Sequence, residues 1–122
     1  FQAHYQHTFD KLILIGSPSD FSIILNNYVK MLGLNSRVHQ ALAKYTKERF
    51  NITIDEFSAS KFLENTTIPG IVAHDTEDNV VLFNEGKKLA NAWKTAQFIE
   101  TKGLGHSMHN DQLYQTILEF IQ

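Results

Sequence analysis

The stretch "GLGHSMHN", Gly103 to Asn110, places a serine between two imidazoles in a glycine-bearing loop. Residues of these types carry acyl-transfer chemistry, and two assignments fit them. In the first, Ser107 attacks a carbonyl: Gly105-His106-Ser107-Met108-His109 falls one residue short of G-x-S-x-G, the pattern of a nucleophilic serine on a strained strand-to-helix turn. In the second, His106 is the general base, the role histidine fills most often, and the attacking serine lies elsewhere.

What stands around the stretch separates the two. In hydrolases whose serine sits on such a strand-to-helix turn, acid and base follow it in the chain; for Ser107 they would have to lie within "MHNDQLYQTILEFIQ", which one terminal helix takes up. His109 also stands where the elbow needs a small residue, and with Asp111 it lies too close in sequence to reach back. The second assignment finds its partner upstream. "IVAHDTEDNVV" sets acids just past the end of a buried-strand pattern, at the edge where open α/β sheets build their sites. A carboxylate there can fix the tautomer of His106 and stabilise its imidazolium. Aspartate is also a common turn residue, so a purely structural role for Asp78 competes with the acid role. Asp75 is a secondary candidate that caps or orients the same loop.

Three apolar runs must position these groups. "LILI" (Leu12 to Ile15), "IPGIVAHD" and the shorter "AQFIET" lack alternation and read as strands buried on both faces of a parallel sheet. Between the second and third, Phe83, Gly86, Leu89, Ala90 and Trp93 recur at helical spacing. After the third, Leu113, Ile117, Leu118 and Ile121 form one stripe, and Asn110 can cap its start. This rhythm predicts an α/β fold of about three parallel strands with flanking helices and right-handed crossovers. Residues 21–66 break the rhythm. One helical stripe runs through Phe21, Ile24, Leu25, Tyr28, Met31 and Leu32, and another through Val38, Leu42 and Tyr45. A third helix is expected to start at a Thr53–Glu56 capping box, with Ile52 and Phe57 as its hydrophobic staple. The domain reading is a sheet core of residues 1–20 and 67–122 with a helical cap at 21–66, which either covers the sheet or serves as a lid.

From Lys11 to Gln122 the chain resembles the C-terminal half of an α/β-hydrolase-fold enzyme of the serine esterase or lipase kind. "KLILIGSP" resembles the strand after the nucleophile helix, "HDTEDNVV" the H-G-x-x-D-x-x-V segment, and "GLGH" the terminal histidine loop. The resemblance puts the family's acid on Asp78 and its histidine on His106, and leaves Asp75 where the family more often has glycine. It implies triad order Ser, then acid, then His, which counts against Ser107 as nucleophile. It further implies a small ester-like substrate in a pocket lined by Phe21, Leu25, Tyr28 and Phe57 of the cap. No G-x-S-x-G and no oxyanion-hole segment occur in these residues. Phe1 is not an initiator methionine, and the opening reads as a continuation, so the chain is expected to be a piece of a longer protein whose nucleophile precedes it. This piece alone is expected to be inactive.

Composition narrows the remaining classes. The chain has 122 residues, 43% hydrophobic and 20% charged, with net charge -2. The absence of a basic stripe argues against nucleic acid as a partner. No apolar run approaches the length of a membrane span, and no signal-peptide pattern is visible, so a membrane partner is not expected. Without cysteine there is no disulfide framework or thiolate metal site, which suits a cytoplasmic setting. Asn51 and Asn65 begin chance glycosylation sequons, and Ser58 to Lys61 matches S-x-x-K without its companion segments. No cofactor or metal is expected, because His74, Asp75, Asp78, His106 and His109 match no standard ligand spacing. His4, His7 and His39 read as surface residues. The alternative to an enzyme part is a non-catalytic interaction module. The strand at 12–15 would then be an open edge, a template for a homodimer or higher oligomer.

Overall fold

Six consecutive buried residues, Gly70–Asp75, form the strand around which the rest is arranged. The computed structural model describes residues 9–56 and 58–122. In chain order these form strand β1 (Leu12–Ile15), helix α1 (Phe21–Met31), helix α2 (Ser36–Phe50), a 3-10 turn (Ile54–Glu56) and helix α3 (Ala59–Leu63). Strand β2 (Gly70–Asp75), helix α4 (Phe83–Ala92), strand β3 (Ala96–Thr101) and helix α5 (Asp111–Ile121) complete the order. His4, His7 and Phe57, with the expected staple of Ile52 and Phe57, lie outside the described residues.

The three apolar runs pair as one open parallel sheet in the order β1-β2-β3. Leu12 stands opposite Gly70, and Gly70 opposite Ala96. Alternate residues of β2 feed two cores. Val72 packs with Leu63, Leu89 and Trp93 on the face covered by α3 and α4. Ile71 and Ala73 pack with Met108 and Leu113 on the face covered by α5. A central strand covered on both sides has no use for alternation, and that is why its sequence is a continuous apolar run.

Helix α4 approaches β2 closely at Gly86. A methyl there would lie 2.4 Å from the imidazole Nδ1 of His74 and 2.6 Å from its Cβ and Cγ. Helix α5 begins as expected, with the Asn110 carboxamide accepting the Leu113 N–H at 3.0 Å.

The excursion differs in part from its reading. Helices α1 and α2 bury no residue completely. One arm of the Thr53–Glu56 capping box forms, the Glu56 carboxylate accepting the Thr53 N–H, but the Glu56 N–H goes to the Thr53 carbonyl and only a single 3-10 turn is closed. The next helix, α3, starts later. Ser58 caps it through the Lys61 N–H, and Ser19 O accepts the N–H groups of Ala59 and Ser60. A contact with the loop after β1 therefore decides where this helix begins. It is a tertiary determinant overriding a local one. The S-x-x-K match is this cap.

Candidate active site

The carboxyl ends of β2 and β3 lie side by side, Asp75 opposite Thr101. From β2 the chain turns through residues 76–79, and Asp78 divides its two oxygens between two tasks. Oδ1 accepts the N–H groups of Val80 and Val81, each at 2.9 Å. Oδ2 lies 2.8 Å from Nδ1 of His106. The turn contacts and the contact with His106 are thus carried by different atoms of one side chain. Burial works against the charge of Asp78, but the hydrogen bond from His106 and the two backbone bonds outweigh it, holding the carboxyl below its usual range.

His106 reaches this partner from the loop after β3. Gly103 and Gly105 have φ of +78° and +63°, conformations that side chains on Cβ resist. Further on, Met108 (φ +49°) is buried against the α5 core and anchors the loop's far end. The imidazole lies over Gly16, where an added Cβ would be 3.4 Å from Nδ1. A carboxylate accepts only, so Nδ1 carries the proton and the neutral ring keeps its lone pair on Nε2. The side chain is 43% exposed against 0% for that of Asp78. One end of the pair is fixed in protein and the other is open.

The opening is a cleft of about 770 Å³ between α1 and the segment before α4. Ile23, Ile24, Tyr28 and Met31 line one side, Asn79 to Leu82 the other, with His106 and Glu85 at the margin. Among the expected pocket residues, Tyr28 lines this cleft. Phe21 and Leu25 sit on the same helix but do not line it, and Phe57 lies outside the described residues.

Two further acids shape the surroundings. Asp75 is fully buried. Its Oδ1 accepts the Glu77 N–H at 2.9 Å, and its Oδ2 accepts the Thr101 hydroxyl at 2.7 Å and the Leu104 N–H at 3.0 Å. Burial opposes its charge too, yet these bonds bring it down to about 2. Glu85, in the first turn of α4, accepts both the N–H and the hydroxyl of buried Ser19 and pairs with Lys88 at 2.7 Å. Burial opposes ionisation here as well, and the bonds from Lys88 and Ser19 prevail, lowering its pKa. Sequence reading missed this tie because its partners are 66 residues apart.

His74 lies beneath the pair. Its Nε2 is 2.8 Å from Val81 O and 3.3 Å from Asp78 Oδ2. The carbonyl can only accept, so Nε2 bears a proton. Nδ1 is buried without a hydrogen-bond partner. Ser107 is exposed and makes no hydrogen bond among the described residues. His109 pairs with the Tyr114 hydroxyl. Among the described residues, no three His, Asp or Glu side chains converge on a site that could hold a metal ion.

No family model matches the sequence, and no curated protein matches it. Solved structures do. MGS-MChE2, an α/β hydrolase enzyme from the metagenome of lagoon sediments at Mar Chica, Morocco, is 15% identical with a TM-score of 0.62; the match covers 98% of this chain and 52% of that one. BpoC of Mycobacterium tuberculosis H37Rv, provisionally a non-heme bromoperoxidase, is 11% identical at TM-score 0.62, with 98% and 60% covered. Rv0554 from Mycobacterium tuberculosis is 10% identical at TM-score 0.64, with 98% and 59% covered. At such identities the likeness is one of fold. The three-stranded parallel sheet, the helices on its two faces and these neighbours agree that the chain is built as part of an α/β-hydrolase fold, spanning little more than half the length of the structures it matches.

Proposed function

We propose that this chain is the C-terminal portion of a serine-type α/β hydrolase that cleaves an ester or related acyl bond. In this reading Asp78 and His106 are the acid and base of a triad whose serine lies outside residues 1–122. The observation that carries it is the 2.8 Å contact between Asp78 Oδ2 and His106 Nδ1 at neighbouring strand ends, beside a cleft to which His106 contributes. The serine hydroxyl adds to the acyl carbonyl and gives its proton to Nε2 of His106. Asp78 stabilises the resulting imidazolium and stays unprotonated. The imidazolium then protonates the departing alcohol oxygen, and water repeats the sequence to release the acid. Residues 21–66 act as the cap, their apolar α1 face receiving the substrate, with Tyr28 as a wall. The cysteine-free composition suits the cytoplasmic location expected for the protein.

The test compares the full-length protein, its His106→Ala variant and the 122-residue chain on a short p-nitrophenyl ester. Hydrolysis by the full-length protein alone supports the reading. His106-dependent hydrolysis by the 122-residue chain would return Ser107 to the nucleophile's role and overturn it.

A second reading, association without catalysis, is favoured by one feature. Among the described residues β1 pairs on one side only, with β2, and Ile15 at its end is 41% exposed. An apolar edge of this kind is a template for another strand, and a homodimer or higher oligomer would cover it. Sedimentation of the chain as a monomer at high concentration contradicts this second reading.

A further inference from the structure

We infer that Asp75 is a positioning residue that sets the distance between Asp78 and His106 by holding the loop of each with a different carboxylate oxygen. The inference rests on the proposed roles of those two residues. Oδ1 takes the N–H of Glu77, the residue before Asp78. Oδ2 takes the hydroxyl of Thr101, the last residue of β3, and the N–H of Leu104, two residues before His106.

Three features make this more than a buried turn acid. Asp75 is fully buried, where an unpaired carboxylate is costly, and its hydrogen bonds within the described residues come from neutral groups. Its charge is met by the Thr101 hydroxyl at the end of β3 and by N–H groups of the two loops. Buried Met108 packs the far end of the base loop into the core, and hydrogen bonds must hold the rest. Beyond Thr101, the hydrogen bonds that tether residues 102–107 to the other described residues run to Asp75 and Asp78. Asp78 is the very partner whose distance has to be set, so Asp75 is the independent tether. Finally, the sheet brings the clamp into place by itself, since Asp75 and Thr101 are register partners. Rigid strands thereby transmit their alignment to two loops that lie past the last ladder pair.

An amide at this position cannot do the same work. Three donors face two carboxylate oxygens, and a carboxamide keeps one oxygen and puts an NH₂ group, which can only donate, in place of the other, so one arm must let go. Thr101→Val removes a single bond and leaves the Leu104 N–H in place.

The test uses the full-length protein, ester kinetics, and imidazole proton NMR of the His106 Nδ1–H. The His74 Nε2–H, held by Val81 O on the other side of β2, is the internal control. Asp75→Asn is expected to lower kcat on the order of 10²-fold with KM unchanged, the penalty of a misplacement of about 1 Å. The His106 signal should be lost to exchange while the His74 signal persists, and Thr101→Val should fall between wild type and Asp75→Asn. Wild-type kcat and an intact His106 signal in Asp75→Asn would overturn the inference. So would loss of both signals together, which marks a general structural role. A wild-type protein without the His106 Nδ1–H signal would instead remove the acid–base reading beneath it.

Discussion

Asp78→Asn changes one atom of the proposed site, and the consequences can be followed atom by atom. Oδ1 receives two backbone N–H groups at 2.9 Å, a position only an oxygen can fill, so the amide oxygen is held there. The new NH₂ group then occupies the Oδ2 position, 2.8 Å from His106 Nδ1 and 3.3 Å from His74 Nε2. Both nitrogens carry protons in the wild type. His74 cannot change tautomer without giving up Val81 O, so His106 must: its Nδ1 turns acceptor and its proton moves to Nε2. A protonated Nε2 cannot take the serine's proton. The expected fall in kcat is about 10⁴-fold, the size of this change in Ser-His-Asp proteases, or about 5.4 kcal/mol of barrier. KM should stay near its wild-type value, because the loss falls on the transition state. The turn bonds to Val80 and Val81 survive, so the protein should fold, destabilised by the loss of a charge-assisted bond, about 1.5–3 kcal/mol. The assay is steady-state hydrolysis of a p-nitrophenyl ester by the full-length protein, with circular dichroism to confirm folding. A folded variant whose kcat lies within about tenfold of wild type would show that Asp78 is a turn residue and nothing more.

Two other perturbations probe what supports the site. Gly86→Ala should destabilise the protein, since its methyl would meet His74 at 2.4 to 2.6 Å. The overpacking cost of about 1–3 kcal/mol outweighs a gain in helix propensity of up to about 1 kcal/mol. A urea midpoint equal to or above wild type contradicts this packing. Asp75 gives a pH signature. Its pKa is depressed in the folded state, so its contribution is whole above the ordinary value of 3.8 and is lost as the pH falls through about 2. Urea midpoints should drop over that acid window in the wild type and drop less in Asp75→Asn. Parallel declines in the two proteins would refute the assignment.

The strands and the closeness of Asp78 to His106 were legible because their signals are local. "LILI" and "AQFIET" are β1 and β3, "IPGIVAHD" contains β2, which begins two residues into the run at Gly70, and Asn110 caps α5. Asp78 and His106 could be paired from sequence because each follows its strand by only a few residues, so strand order places both at one edge. The rest depends on distant partners. The helix expected at Thr53 starts instead at Ser58, under the hold of Ser19, nearly forty residues away in sequence. The Glu85–Ser19 tie has no local signature at all. Tyr28 lines the cleft while Phe21 and Leu25 do not, because the rotation of α1 is set by packing, in part against the 3-10 turn, that the stripe alone does not encode. The place of His74, packed against Gly86 and 3.3 Å from Asp78 Oδ2, likewise had no local signal.

The central claim is that these residues supply the acid and base of a triad and leave the nucleophile to another segment. Labelling the full-length protein with a fluorophosphonate and locating the adduct by peptide mass spectrometry tests it most directly. The account predicts phosphonylation of one serine outside residues 1–122, abolished by His106→Ala. An adduct on Ser107, or labelling indifferent to His106, would contradict it.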